Sequence, residues 1–134
     1  MNAIAKIEGI GAAYADKLRA AGIISVQDLL EKGAQRGARA KLAADTGISE
    51  KLVLKWVNMA DLFRIKGIGS QYAELLERSG VDTVRELAQR NATTLRAKMT
   101  EVNTSTKLVR QTPSERSVVA WIAEAKQLPV KVTY

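Results

Sequence analysis

Residues 7–12 read IEGIGA and residues 65–70 read IKGIGS. In both, two glycines bracket one isoleucine at the front of an apolar run with helical spacing: Ile10, Tyr14, Leu18 and Ala21 after the first, Ile68, Tyr72 and Leu76 after the second. Glycine is needed where φ is positive or where the backbone must approach another group closely. An isoleucine pointing inward would pin such a loop to the core. The loop amides and the free N–H groups of the next helix would then face outward together, which makes a concavity suited to an anion. Phosphate fits it, and backbone amides read no base.

The loops belong to a duplication. Shifting the chain by 58 residues superposes 7–29 on 65–87, and Ile7, Gly9, Ile10, Gly11, Tyr14, Ala15, Leu18, Gly22, Val26 and Leu29 meet identical residues. Further on, 48–60 superposes on 113–125 at a shift of 65, with Ser49, Glu50, Val53, Trp56 and Ala60 repeated. Between them RAKL (39–42) pairs with RAKM (96–99) at a shift of 57. The second copy therefore carries about seven extra residues, and the polar stretch 103–112 is the place for most of them. The copies are taken as 1–64 and 65–134.

Each copy predicts four helices. Gly22 and Gly80 end the first, since glycine tolerates the left-handed position after a helix. SVQD (25–28) and TVRE (83–86) are capping boxes that open short helices over about 26–32 and 84–90. Third helices cover about 36–45 and 93–102, and fourth helices about 50–63 and 114–127. Only the tail VKVTY hints at strand alternation. The fold class is all-α: eight short helices in two tandem repeats, packed as one pseudo-twofold domain. The first loop has no full helix before it. By repeat logic the helix at 114–127, with apolar face Val118, Val119, Ile122 and Ala125, is expected to fold back onto it, or to do so in a partner chain as a swap. The oligomeric state is left open.

The 134 residues contain no cysteine and no histidine, and carry a net charge of +7. A disulfide framework and thiolate zinc are excluded, and the commonest general base is absent. No catalytic constellation stands out, so the expectation is a non-enzyme with no cofactor and no metal. No apolar run is long enough to span a membrane, and MNAIAKIEGIG lacks a signal pattern, so a cytoplasmic protein is expected. The basic surplus favours a polyanion such as DNA.

GIGAAYADKL (9–18) and GIGSQYAELL (67–76) resemble the helix-hairpin-helix motif. The whole chain, through GARAKLAADTGISEKLVLKWVNMADL and RIKGIGSQYAELLERSGVDTVRELAQRN, is similar to a small, largely uncharacterised bacterial family of tandem proteins of that kind. The resemblance implies sequence-independent grip on the DNA backbone through hairpin amides. Such hairpins often place Lys or Arg after the second glycine, whereas here Ala12, Ala13, Ser70 and Gln71 stand there. Ahead of the first loop is Glu8; ahead of the second are Lys66 and Arg64, so the second is the favoured binder. The candidate contacts are Lys6, Gly9, Ile10, Gly11 and Ala12 in the first copy, and Arg64, Lys66, Gly67, Ile68, Gly69 and Ser70 in the second, joined by Arg96 and Lys98. Arg36, Arg39, Lys41, Arg90, Lys107 and Arg110 could extend them into a phosphate-tracking stripe. Trp56, Trp121, Tyr14 and Tyr72 are assigned to the core beneath the loops rather than to base stacking. A protein–protein adaptor on the same scaffold is the alternative function.

Overall fold

A computed structural model describes residues 3–134. Among them the chain is all-helical. A 3₁₀ turn at Ile4–Lys6 precedes α1 (Ala12–Ala20), α2 (Val26–Gly33), α3 (Arg36–Thr46) and α4 (Glu50–Leu62). The second copy supplies α5 (Ser70–Arg78), α6 (Val84–Ala88), α7 (Ala92–Thr106) and α8 (Glu115–Gln127). Among the described residues no helix is long and apolar enough to cross a membrane.

Local chemistry sets these boundaries. The Ser25 hydroxyl accepts the Asp28 N–H, and the Asp28 carboxylate accepts the Ser25 N–H, which closes the capping box of α2. The Thr83 hydroxyl likewise accepts the Glu86 N–H at the start of α6, where the Glu86 carboxylate accepts the Asp82 N–H. Gly22 and Gly80 take φ of 87° and 93°. Around them Ile23 N–H reaches Leu18 O, and Val81 N–H reaches Leu76 O, both at 2.9 Å. These are the crossed bonds that end a helix on a left-handed residue. The exposed carbonyls of the two glycines are covered by Lys32 Nζ at 3.0 Å and Arg90 Nη2 at 2.7 Å.

The chain forms two compact units, one running to Asp61 and taking in Lys131–Tyr134, the other spanning Leu62–Val130. In the first, Ile4, Leu18, Ile23, Leu29, Val53, Trp56 and Val57 are buried around α1–α4. Helix α2 approaches α4 so closely that a Cβ on Gly33 would stand 2.5 Å from Val57 Cγ2. The tail lies along Ala34, with the Thr133 N–H donating to its carbonyl at 2.8 Å. Val132 is buried there between exposed neighbours, so the alternation in VKVTY reflects one inward residue and not a strand.

In the second unit α6 and α7 pack on α8, and α5 packs on α7. Helix α7 has 15 residues against 11 in α3, so part of the extra length in this copy extends a helix. The rest is a loop fastened by Asn103, whose side chain donates to Val109 O and accepts Val109 N–H, both at 3.0 Å.

One sequence expectation changes, on the buried face of α8. Helix α8 closes the loop of its own repeat, bringing Trp121 to Gly67, while Trp56 of α4 lies at Gly9. Each loop is thus covered by the tryptophan helix that follows it. On α8, Val119 is 52% exposed, and Trp121 joins Val118, Ile122 and Ala125 on the buried face.

Candidate phosphate-binding loops

The two loops share one construction, and their two glycines are there for different reasons. Gly9 and Gly67 sit at φ of 93° and 92°, a region that favours glycine. A Cβ on Gly67 would also lie 3.2 Å from Trp121 Nε1. Ile10 N–H bonds to Ile7 O and Ile68 N–H to Ile65 O, both at 3.2 Å, and both isoleucines are buried. The Tyr14 and Trp56 rings meet at 5.0 Å between centroids, the Tyr72 and Trp121 rings at 5.3 Å. The tryptophans are buried and the tyrosines half-buried, so these aromatics anchor the core.

Gly11 and Gly69 differ. Their conformations, φ −82° with ψ −176° and φ −98° with ψ −167°, are extended backbone open to any residue. A Cβ at either would meet nothing within 4 Å. Neither conformation nor packing within the protein calls for glycine here. Both are also N-caps, of α1 and α5, and neither helix start has a side-chain cap. The start of α3 at Gln35 is likewise without a side-chain cap, whereas α2, α4, α6, α7 and α8 are capped by Ser25, Ser49, Thr83, Asn91 and Ser114. The first turns of α1 and α5 thus begin at the positive end of the helix dipole without a cap from the N-cap side chain.

The sequence-derived candidates divide. Lys6 and Lys66 are exposed beside the loops, Ala12 is exposed, and Ser70 is half-buried at the start of α5. Arg64 donates to Pro129 O at 2.7 Å, and Arg96 to Pro113 O at 3.1 Å. Lys98 lies 4.0 Å from Glu101. The wider basic stripe dissolves further. Arg39 is buried and donates to the carbonyls of Gly33, Ala34 and Thr133. Arg90 covers Gly80, and Lys41 pairs with Asp45 at 2.7 Å. Arg39, Arg64, Arg90 and Arg96 thus donate to backbone carbonyls, and the forked guanidinium lets Arg39 satisfy three at once.

One residue at the second loop escaped the sequence reading. The Glu124 carboxylate accepts the Lys66 N–H, at 3.2 and 3.4 Å to its two oxygens. The contact spans 58 positions, and its only trace in the sequence is a charge where the first copy has Met59. The advantage of Lys66 over Glu8 is therefore offset by an acid delivered from α8.

No solved structure matches the chain. The profile of DUF4332, a domain of unknown function, matches residues 8–128, and the chain belongs to that family.

Proposed function

We propose that the protein is a non-enzymatic, sequence-independent DNA-binding protein of the helix-hairpin-helix kind, holding phosphate oxygens on the open amides of its two glycine loops. The observation that carries this reading is the pair Gly11 and Gly69, glycines that the protein's own conformation and packing do not require. A ligand that comes against the backbone supplies the missing reason. Glu124 supports it from another side, since the Lys66 amide already takes an oxyanion within the protein. The loops enter on equal terms: each has one carboxylate, Glu8 by sequence and Glu124 by contact. Lys6, Lys66 and the net charge of +7 supply the long-range attraction.

Fluorescence anisotropy with duplex, single-stranded and branched DNA across a salt series tests it. Binding should be indifferent to sequence, with a log–log salt slope of about −0.7 to −0.9 per phosphate neutralised. Absence of binding at low salt refutes it. The second reading, a protein–protein adaptor, draws on the exposure of Val119 and Ile24, at 52% and 64%.

A further inference from the structure

The first unit also holds a cavity of about 400 Å³ lined by Arg36, Arg39, Glu50, Lys51, Leu54 and Tyr134, none of them in its glycine loop. That volume lies within the rough 300–1,000 Å³ range of small-molecule sites. Among its charged side chains, three are cations and one is a carboxylate. Arg36 and Lys51 make no ion pair among the described residues. Arg39 is 5% exposed, and its hydrogen-bond acceptors are all backbone carbonyls. A buried guanidinium with no carboxylate bound to it favours an anion nearby.

The aromatic wall is held in place. The Tyr134 hydroxyl donates to Asn58 Oδ1 at 3.0 Å, and the Arg39 guanidinium lies 5.7 Å from the ring centroid. Tyr134 as a whole residue is nevertheless 61% exposed. An exposed tyrosine whose ring is fixed at its hydroxyl is a preorganised surface on which a base can stack.

The second repeat is built differently at the matching place. Thr93 stands where Arg36 does, and its hydroxyl donates to Glu115, the counterpart of Glu50, at 2.7 Å. That bond ties α7 directly to α8. The counterpart of Arg39, Arg96, reaches Pro113 O. The open, basic, aromatic-walled version thus belongs to the first repeat and to the tail that completes it.

We propose that this cavity binds one nucleoside phosphate, with the base stacked on Tyr134 and the phosphate held by Arg36 and Lys51. Leu54 gives apolar contact to the base or sugar. Glu50 accepts a hydrogen bond from a sugar hydroxyl or a base amine. The nucleotide comes either free or as an unpaired residue of a strand. This site does not rest on the loop reading, and protein carrying Gly11→Ser and Gly69→Ser should keep it.

The test is a ¹⁵N NMR titration of the full chain with adenosine 5′-monophosphate, adenosine and inorganic phosphate separately. The monophosphate should give saturable shifts at Arg36, Lys51, Leu54 and Tyr134, and bind at least tenfold more tightly than either fragment. Lys51→Glu, an exposed change, should weaken it at least tenfold. Tyr134→Leu should bring its affinity down to that of phosphate. A six-residue deoxyadenosine strand binding more tightly than the monophosphate marks a strand as the source, and weaker binding marks the free nucleotide. Equal binding of phosphate and the monophosphate, unchanged affinity in Lys51→Glu, or no saturable shift would each overturn the proposal.

Discussion

Replacing Gly11 and Gly69 together by serine should strengthen the fold and abolish DNA binding. Both glycines have extended φ, and a Cβ at either meets open space. Removing a glycine's unfolded-state entropy at such a compatible position stabilises by about 0.4–1 kcal/mol. Serine is also better than glycine at an N-cap by a few tenths of a kcal/mol. Each substitution should therefore stabilise its unit by roughly 0.5–1 kcal/mol, which raises the midpoint of a domain this small by several degrees. Binding moves the other way. The new hydroxyl oxygen would accept the first-turn N–H groups and stand where a phosphate must come. Hydrogen bonds to a charged group contribute about 1.5–3 kcal/mol, so each loop should lose roughly ten- to a hundredfold in affinity. Gly9→Ser and Gly67→Ser are the contrasting pair. Their φ is positive, so a side chain costs about 1–2 kcal/mol at each site, and melting should fall. Circular dichroism melts and anisotropy at fixed salt read both effects. A Gly11→Ser/Gly69→Ser protein that melts higher yet binds DNA like the wild type would refute the role given to the open amides. One that unfolds would refute the geometric argument itself.

Glu124→Gln should raise DNA affinity about fivefold at low salt, the effect of one screened charge near a phosphate, and the gain should shrink as salt rises. Arg39→Met should lower the stability of the first unit by about 2–4 kcal/mol in urea titrations, because it strands the carbonyls of Gly33, Ala34 and Thr133. Asp28 is held below the usual carboxylate range by the N–H groups of Ile24 and Ser25. Its contribution is thus present above its unfolded pKa of about 4 and is lost as pH falls through the depressed folded value. Thermal melts from pH 7 to pH 2 should show less acid destabilisation in Asp28→Asn than in the wild type.

The helices could be read from the chain because their signals are local. A hydroxyl three residues before an acid and a glycine at a helix end act within one turn, and both copies repeat them. Helix α7 ran past its expected end because its stop is Lys107, at φ of 52°, and not the glycine used by α3. Arg39 looked like a phosphate ligand because one-letter code carries no burial. Its partners include Thr133, 94 positions away. Glu124 was hidden for the same reason. The two glycines of each loop looked alike in the sequence, and only their dihedrals separate the one required by the fold from the one it does not need.

The return of residues 131–134 into the first unit makes that unit discontinuous in the chain, with Leu62–Val130 intervening as a continuous unit. The usual vectorial order, in which the N-terminal portion folds first during synthesis, is thereby disturbed. Residues up to Asp61 emerge first but lack the Thr133 carbonyl that holds Arg39 and the Tyr134 hydroxyl that reaches Asn58. The later-made unit can finish first, and the earlier one is completed only once residues 131–134 have followed it out of the ribosome.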